Sequence, residues 1–416
     1  MNLVFVESNT TGSGMLAFAG ARALGSTPVL ATADPSRYAG LAETGVRVLA
    51  CDTNEGDLAR VLRDELGEIA GVTTTSEFYV TTVARTAGEL GLPGNPPEAV
   101  AACRDKGRMR RILAAERLPS PAFEVITPDD DLERQVQATL ARIAMPCVVK
   151  PVDDTGSLDV VLCTTSQEVL AHCRKLLGST VNVRGQRSSG TALVEGYLNG
   201  PEFSVEMLSA RGAHRCVGIV AKQVTPPPSF VECRHVFPAP LDDDAARTLA
   251  QTACRALAAL GVTDGVTHVE MKLIDRRGYV VEVNARPAGG MIPQVIRTSC
   301  GFDLVEAHLR LALGLPVPPL PEIFLPAGIA FLLAHDPPPD AVLAEIGGVE
   351  HALALEHVDA VTVTAAPGSA VRHARSSYDR LGHVIAHAPD HARLHGTLDA
   401  ALDLLRPVLR QPMGVR

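Results

Sequence analysis

The chain has 416 residues, enough for two to three domains of typical size, and it is 46% hydrophobic and 20% charged. This balance is that of an ordinary globular protein and excludes a globally disordered chain. The net charge of −9, the aromatic content of 4% and the lack of tryptophan argue against a general nucleic-acid binder, which needs basic surface and aromatic stacking platforms.

In the N-terminal part, short apolar runs alternate with helical patterns. Strands are predicted at 3–6, 28–32, 46–50 and 71–74, with helices between them that include a weaker one at 37–43. This alternation predicts a parallel sheet covered by helices, because each parallel connection crosses one face of the sheet. Glycines and prolines at 91–97 end the pattern.

A second region begins after Pro119 and Pro121. Its first clear strand, PCVVKP at 146–151, is followed by the loop VDDTGSLD and a returning strand. Later strands are predicted at 192–197, 203–209 and 216–224, followed by a helix at 242–260. After Pro316 the sequence VPPLP is typical of a linker, and a final α+β region follows.

Residues 268–287, HVEMKLIDRRGYVVEVNARP, carry the most informative pattern. The segment DRRG at 275–278 has turn chemistry and separates two alternating runs, so an antiparallel hairpin is predicted. Pairing about its centre places Glu270 nearly opposite Glu282. Like charges at such positions destabilise a hairpin unless something neutralises them.

Side chains alternate along a strand, so Glu282, Asn284 and Arg286 should share one face of this hairpin. Two carboxylates and an amide oxygen suit Mg²⁺, which combines such ligands with phosphate oxygens. A solvated hairpin face, with Lys272 compensating the charge, accounts for the spacing equally well. The hairpin alone therefore leaves both interpretations open.

A further pattern, TALVEGYLNGPEFSVE at 191–206, is an apolar strand that runs into a Glu-x-x-Leu-x-Gly-Pro-Glu hinge and a second strand. With VVKP, this hinge and EVNAR in that order, the sequence resembles the ATP-grasp superfamily of carboxylate–amine ligases. D-alanyl-D-alanine ligases carry nearly the same hinge. Overall, the chain resembles the bacterial L-amino acid ligases that make dipeptides.

The resemblance implies an α/β and α+β architecture in three parts. A Rossmann-like parallel-sheet domain would cover residues 1–95. An ATP-grasp domain of two α+β subdomains that clasp the nucleotide would cover 97–316, with its lid at about 120–197. A closing α+β subdomain would cover 317–416, where RLGHVIA at 380–386 carries the resemblance.

The resemblance also implies which residues bind ATP. Lys106 and Lys150 match two lysines that contact the phosphates, and Glu202 matches an acid that binds the ribose. The hinge residues, which would hold adenine largely through their backbone, are Glu195, Gly196, Tyr197 and Leu198. The loop residues whose backbone N–H groups can cradle phosphate are Thr155, Gly156 and Ser157.

Metal and substrate residues follow in the same way. The implied ligands of Mg²⁺, or of Mn²⁺ as an alternative ion, are Glu270, Glu282 and Asn284. Arg286 matches an arginine that stabilises the phosphorylated substrate. Glu232 and His235 match a pair that helps to hold the amino-acid substrate.

The implied reaction is the ATP-dependent joining of a carboxylate to an amine, with an amino acid expected in each position. The carboxylate attacks the γ-phosphorus, and the amine then displaces phosphate from the acyl phosphate, so that ADP and phosphate are released. The expected partners are small-molecule substrates, and a homodimer is compatible with the resemblance.

We expect a cytoplasmic protein with neither nucleic-acid nor membrane partners. The nine cysteines are scattered singly and form no CxxC pair, which is typical of reduced thiols. The N-terminus has no basic region before its short apolar run, so a strand is expected there and not a signal peptide. Nowhere does an uncharged apolar run approach the ~20 residues that span a bilayer.

Two alternatives remain. The turn GSGMLA at 12–17, with Asp34 further on, fits a dinucleotide fingerprint and hence an NAD(P)-dependent dehydrogenase, although that reading leaves the lysine, hinge and hairpin patterns unexplained. A non-catalytic ATP-binding module is the other alternative. It is suggested by Asp159, which stands where the resemblance predicts a glycine. With Asp159, the loop VDDTGSLD contains three aspartates that would repel phosphate.

Two expectations concern the substrate side. Gly289 and Gly290 follow Arg286 without offering a side chain, so room for a carboxylate substrate larger than alanine is expected there, with Glu232 and His235 holding a polar group on that substrate. A change of Gly290 to Trp should then restrict the substrate. In the segment after the fourth strand, Glu77 could reach a substrate crevice, but a helix N-cap by Ser76 is the favoured interpretation.

Overall fold

The structure is a computed structural model that describes residues 1–10, 13–54, 56–128, 131–227 and 230–411, with Ser13 described only as the start of a helix. Its N-terminal part is a four-stranded parallel sheet in the order β3-β2-β1-β4. The elements are β1 (Asn2–Val6), α1 (Ser13–Ala23), β2 (Thr27–Thr32), β3 (Arg47–Ala50), α2 (Leu58–Glu65), β4 (Ile69–Thr73) and α3 (Val80–Leu90). The central strands β1 and β2 are almost wholly buried, as strands are when helices cover both faces. The predicted parallel sheet is confirmed.

The helix predicted at 37–43 does not form. Two short 3₁₀ helices, Pro35–Arg37 and Ala42–Thr44, flank Gly40, whose φ is +72°. A residue in the left-handed region cannot continue a right-handed helix, and glycine adopts that conformation without a Cβ penalty. The prediction was wrong because Gly40 turns the chain there.

Two helices lead to the predicted lid, which is an antiparallel sheet in the order β5-β8-β6-β7. The elements are α4 (Pro97–Arg104), α5 (Lys106–Ala115), β5 (Phe123–Ile126), α6 (Leu132–Leu140), β6 (Cys147–Pro151), β7 (Val161–Cys163), α7 (Ser166–Leu177) and β8 (Ala192–Gly196). Helices α6 and α7 cover one face of the sheet over an apolar core. Lys150 is the next-to-last residue of β6, so the loop that connects β6 to β7 begins beside it.

The rest of the chain is organised by an eight-stranded sheet in the order β13-β12-β9-β10-β11-β14-β17-β16. The elements up to residue 312 are β9 (Glu202–Ala210), β10 (Ala213–Val224), β11 (Glu232–Phe237), α8 (Asp243–Leu260), β12 (Gly265–Ile274), β13 (Arg277–Asn284), α9 (Ile292–Cys300) and α10 (Leu304–Ala312). The later elements are β14 (Ala327–Leu332), β15 (Val342–Gly347), α11 (Val349–Leu353), β16 (Val358–Val363), β17 (Gly382–His387), α12 (His391–Leu404) and β18 (Arg406–Arg410). Strands on both sides of the predicted boundary at 317 therefore belong to one sheet.

The predicted hairpin forms from β12 and β13. Asp275 and Arg276, the two residues of its turn, have φ values of +47° and +59°. Two positive φ values in a two-residue turn give a twist that matches the flanking strands. Glu270 lies opposite Glu282 in the register, as predicted, and a bulge follows Glu270 directly.

Within the described ranges, no helix is both long enough and apolar enough to cross a membrane.

Candidate active site

A cavity of about 1520 Å³, part of it open to solvent, lies between the lid, the hairpin and the C-terminal region. Every residue predicted from the sequence as a site residue lines this cavity, from Lys106 to Arg286. The fold thus brings together patterns that are far apart along the chain. The individual roles of these residues stay predictions.

The lid end of the cavity, defined by Lys150, Glu195 and Tyr197, is organised by a buried carboxylate. Glu195 lies 2.7 Å from the Lys150 ammonium and 2.5 Å from the Arg110 guanidinium. Arg110 is fully buried and also donates to two carbonyls of β13 at 2.8 Å. Burial alone would raise the pKa of Glu195, but Arg110 and Lys150 lower this pKa to about 2. The Glu195 side chain is therefore engaged in a structural ion pair, which agrees with a predicted adenine contact through backbone atoms.

Lys106 connects the lid to the hairpin. It is the first residue of α5. The Asp105 carboxylate caps this helix by accepting a hydrogen bond from the backbone N–H of Arg108. The Lys106 ammonium lies 3.0 Å from a Glu282 oxygen and donates to the Asp154 carbonyl at 2.7 Å. A phosphate placed between the loop and the hairpin would be within reach of this lysine.

The loop after β6 is less open to phosphate than predicted. The Thr155 N–H donates to the Asp154 carboxylate at 2.9 Å, so one of the three predicted donors is already engaged. Gly156 has a φ of +71°, which glycine adopts without strain. The predicted cradle therefore depends first on Gly156 and Ser157, and Thr155 can join it only when Asp154 turns away.

The resemblance predicts a glycine at position 159, and Asp159 adopts a backbone conformation that favours glycine. Its φ is +55°, in the left-handed region where aspartate is one of the better tolerated residues. Its carboxylate forms an ion pair with Lys175, and its carbonyl lies 2.8 Å from the His172 Nε2. Because α7 supplies this cation, the repulsion of phosphate expected from Asp159 is offset.

The hairpin oxygens form a cluster that fits a hard cation. Asn284 is 1% exposed, and its Oδ1 has no hydrogen-bond partner within the described residues. Glu270 and Glu282 face each other nearby. The described ranges contain no group of three or more His, Cys, Asp or Glu side chains arranged to hold a metal. An ion here would take two carboxylates and an amide from the protein and its other ligands from phosphate and water, as Mg²⁺ does.

Lys222 of β10 lies at the centre of the cavity's carboxylates and was not predicted. Its side chain is 1% exposed, and its ammonium lies 2.5 Å from Glu232, 3.2 Å from Glu270 and 3.6 Å from Glu202. Burial alone would lower the pKa of Lys222, but these three carboxylates raise it well above its usual range. Lys222 therefore stays a cation and ties the predicted metal, ribose and substrate residues together.

His268 holds Glu270 from the other side. Its Nε2 lies 3.2 Å from a Glu270 oxygen, and its Nδ1 lies 2.7 Å from Glu206, which also accepts from the Ser204 hydroxyl. Burial alone would lower the pKa of His268, but Glu206 and Glu270 raise it to about 9. Outer contacts of this kind fix the orientation of a metal-binding carboxylate.

The Arg380 end of the cavity, defined by Glu232, His235 and Arg380, joins β11 to the C-terminal region. Arg380 donates to the Glu232 carbonyl at 2.9 Å and to its carboxylate at 3.1 Å. The His235 Nε2 lies 3.3 Å from the same carboxylate, but neither ring nitrogen makes a hydrogen bond within the described residues. Burial lowers the pKa of His235 although Glu232 opposes this shift, so the ring is neutral near pH 7.

The room predicted beside Gly290 is occupied. A Cβ at this position would lie 2.8 Å from the His235 ring, and the Gly290 φ of +57° would strain any other residue. A Cβ at Gly289 would meet no atom within 4 Å. The prediction for Gly290 was wrong because His235 fills that space, and the open position is Gly289.

Arg286 lines the cavity, as strand alternation predicted, and its Nε lies 2.9 Å from a Glu77 oxygen. Burial raises the pKa of Glu77, and Arg286 opposes this shift. Ser76 precedes the 3₁₀ helix Glu77–Tyr79, but its hydroxyl makes no capping hydrogen bond. The favoured helix-cap interpretation was therefore wrong, and Glu77 instead reaches the arginine of the cavity.

Comparison with known proteins identifies the family. Residues 143–294 match the ATP-grasp domain, and residues 337–410 match the L-amino acid ligase C-terminal domain 2. Uncharacterized protein y4rH of Sinorhizobium fredii is 31% identical over 404 residues, which cover 96% of this chain and 81% of that protein. Alanine–anticapsin ligase of Bacillus subtilis is 28% identical over 269 residues, 59% of this chain and 56% of that enzyme. The chain belongs to the ATP-grasp superfamily of carboxylate–amine ligases.

Solved structures show the same ATP-grasp fold. The L-amino acid ligase of Bacillus licheniformis has a TM-score of 0.80 at 23% identity, with 98% of each chain covered. The biotin carboxylase domain of the Hydrogenobacter thermophilus 2-oxoglutarate carboxylase, crystallised as a dimer with MgADP, has a TM-score of 0.74 at 16% identity and covers 98% of this chain and 90% of that one. The ATP-grasp chain spans about half the length of the alanine–anticapsin ligases that it matches.

Membership confirms the predicted fold class and the predicted enzyme class, an ATP-dependent carboxylate–amine ligase. The dehydrogenase alternative loses its support. Asp34 caps the 3₁₀ helix Pro35–Arg37, and a Cβ on Gly14 would collide with the Asn9 carbonyl, so each residue has a structural explanation. Gly12, which begins the fingerprint, lies outside the described residues.

Sequence reasoning missed four residues that organise the ATP-grasp cavity. They are Arg110, Lys222, His268 and Arg380. His268 could have been found, because it precedes Glu270 by two residues and so shares its face. Arg380 was part of the C-terminal RLGHVIA pattern but received no role. Nothing in the local sequence marks Arg110 or Lys222.

Proposed function

We propose that this ATP-grasp ligase joins two amino acids, one as the carboxylate and one as the amine, through an acyl phosphate. The observation that carries the proposal is that one cavity joins the lid-end cations, the hairpin oxygens and the Glu232–His235 pair. A non-catalytic ATP-binding module would have no use for this cluster of buried charges, which is costly to desolvate.

In the first step, the carboxylate of one amino acid attacks the γ-phosphorus of ATP, an acyl phosphate forms and ADP leaves. Lys106 and Lys150 hold the phosphates, exchanging their present carboxylate and carbonyl partners for phosphate oxygens. Mg²⁺, or Mn²⁺ in its place, would be held by Glu270, Glu282 and Asn284 and would supply neutralisation of the phosphate charge.

In the second step, the amine of the other amino acid attacks the acyl carbonyl carbon. Arg286 stabilises the negative charge that develops on the carbonyl oxygen. His235 accepts the proton of the amine, since its ring is neutral and its nitrogens make no hydrogen bond within the described residues. Phosphate then leaves with the electron pair of its bond to carbon, and an amide remains.

The carboxylate substrate is proposed to be larger than alanine. The support is the empty space beside Gly289, close in the chain to Arg286, where the acyl group would lie. Each extra methylene that such a space accepts or rejects is worth about 1–3 kcal/mol, so the preference should be graded.

We also propose a cytoplasmic location and a homodimer. The nine cysteines are free in the structure, which agrees with a reducing compartment. The support for a dimer is the fold likeness to a carboxylase domain crystallised as one. Sedimentation at micromolar concentration tests the dimer, and a monomer there would contradict it.

The experiment that tests the proposed reaction is ADP release against a panel of amino acids, offered singly and in pairs, with mass spectrometry of the products. We expect ADP release that depends on a pair and a product whose mass is the sum of the two minus water. Release of ADP with every acid but no condensed product, or no release with any pair, would contradict the proposal.

A further inference from the structure

The Arg380 side chain enters the cavity from the C-terminal region and has no part in the steps above. It follows the 3₁₀ helix Ser377–Asp379 and precedes β17. Its guanidinium lies on the face of the Phe331 ring, 3.7 Å from the ring centroid, and the side chain is 12% exposed. An arginine held flat on an aromatic ring and turned to a cavity presents its remaining donors in a fixed plane.

The hydrogen bonds of Arg380 are incomplete. Its Nη2 donates to the carbonyl and the carboxylate of Glu232, but its buried Nε donates to nothing within the described residues. In the described part of the chain, Glu232 is the one carboxylate within 4.0 Å of Arg380, and Glu232 is shared with Lys222. Burial lowers the pKa of Arg380 although Glu232 opposes this shift. The guanidinium therefore has donor capacity left to offer an anion.

The position of Arg380 sets which anion it can meet. Its one carboxylate contact in the described residues is Glu232, which pairs with Lys222, and Lys222 in turn pairs with Glu270. Arg380 therefore has no direct contact with Glu270 in the described part of the chain. It lies instead beside His235, whose ring packs edge-on against the same Phe331 with centroids 5.4 Å apart. An α-amino acid carries its amine and its carboxylate on one carbon. If the amine faces His235 and Glu232, its carboxylate comes to the neighbouring arginine.

We infer that Arg380 binds the α-carboxylate of the amine-donating amino acid, so that this site selects amino acids over plain amines. The inference rests on the proposed function, because it assigns a residue to the second substrate of that reaction. The acyl group has no such carboxylate once it is activated, so the first substrate has no need of Arg380 in the second step.

Hydroxylamine separates the two steps, because it traps an acyl phosphate as a hydroxamate and carries no carboxylate. The kcat/KM of the wild-type ligase is measured with three acceptors of the acyl group. They are hydroxylamine, the amino acid that the pair panel identifies as amine donor, and the α-amide of that amino acid. We expect kcat/KM for the amino acid to exceed that for its amide by about 10- to 100-fold, the range of a lost hydrogen bond to a charged group.

Arg380→Met should remove this preference by raising the KM of the amino acid, with a much smaller effect on hydroxamate formation. Arg380→Lys, which keeps the charge but loses the planar fork, should recover part of the preference. Arg375→Met, an exposed change in the same segment, is the matched control.

The outcomes are distinguishable. If the wild type forms no hydroxamate with any acid, the proposed function itself fails. If hydroxamate forms but the wild type uses the amide as well as the amino acid, Arg380 does not bind a carboxylate and the inference is overturned. This comparison needs no variant, so it can overturn the inference even if Arg380→Met does not fold. Equal losses of hydroxamate and amide-bond formation in Arg380→Lys would also overturn it.

Discussion

The two ends of the cavity are built in different ways. The lid end takes most of its residues from short stretches around β6 and β8, where Lys150 and Glu195 lie on neighbouring antiparallel strands. The Arg380 end takes Glu232 and His235 from β11, Phe331 from β14 and Arg380 from the C-terminal region.

This difference matters for function. In the proposed reaction, the lid end is assigned to the nucleotide, and its residues come from short stretches that lie close together in the chain. The Arg380 end is assigned to the amino acids, and its shape depends on how three distant segments pack. Changes at the lid end and hairpin should therefore affect turnover with every substrate, whereas changes at the Arg380 end should alter which substrates are used.

The largest effect is expected from Glu282→Gln, at the hairpin that the two ends share. The change removes one ligand charge from the predicted Mg²⁺ site, and ADP release should fall by more than about 100-fold for every pair of amino acids. Glu98→Gln is the control, since Glu98 is an exposed carboxylate with 82% of its side chain accessible. Turnover like that of wild type at limiting Mg²⁺ would show that Glu282 binds no metal.

Arg110→Met tests the buried ion pair at the lid end. Breaking a buried pair from one side costs about 3–5 kcal/mol, so the variant should unfold at lower urea concentration. Arg142→Met, which breaks the exposed pair with Glu124, should cost less than about 1 kcal/mol.

The cost of Arg110→Met should also depend on pH. The pKa of Glu195 is lowered from 4.5 to about 2 in the folded protein. The contribution of this carboxylate to the free energy of unfolding is therefore complete above pH 4.5 and is lost as the pH falls towards 2. The difference in unfolding free energy between wild type and variant should shrink across that interval. A difference that stays constant from pH 7 to pH 3 would show that Arg110 does not stabilise the protein through its ion pair with Glu195.

Gly289→Trp tests whether the space beside Gly289 accepts the side chain of the carboxylate substrate. A bulky side chain in the space beside Gly289 should raise the KM of large carboxylate substrates about tenfold or more relative to small ones. Gly290→Trp is the matched contrast, because it collides with His235 and should impair all substrates alike. An unchanged ranking of acids in Gly289→Trp would place the acyl pocket elsewhere.

The smallest effect concerns the loop after β6. If this loop closes over the phosphates, limited proteolysis between Asp153 and Asp159 should slow several-fold on addition of Mg-ATP. Cleavage in the exposed linker near Ile323, 79% of which is accessible, serves as the internal control. Equal cleavage of the loop with and without nucleotide would count against a closing lid.

The hairpin of β12 and β13 could be predicted from the sequence, because strands and tight turns depend on residues that are close together in the chain. Strand alternation and the DRRG turn sufficed to place Glu270 opposite Glu282, and the register agrees. The helix predicted at 37–43 failed on one local detail, the positive φ of Gly40.

The Arg380 end could not be predicted in the same way. The contact between Gly290 and His235 joins residues on different elements, and nothing in either local sequence announces it. The ion pair of Arg286 with Glu77 likewise crosses from the hairpin to the N-terminal part of the chain. Such contacts depend on how the sheets pack, which periodicity and turn chemistry do not report.

The central claim is that an acyl phosphate links the two ends of the cavity, and isotope transfer tests it most directly. The carboxylate substrate is labelled with ¹⁸O at both oxygens, and ligation is run with ATP and the amine-donating amino acid. Attack on the γ-phosphorus followed by amine displacement predicts one ¹⁸O in the inorganic phosphate and one in the amide product. Label in AMP, or phosphate free of label while the amide forms, would contradict the account.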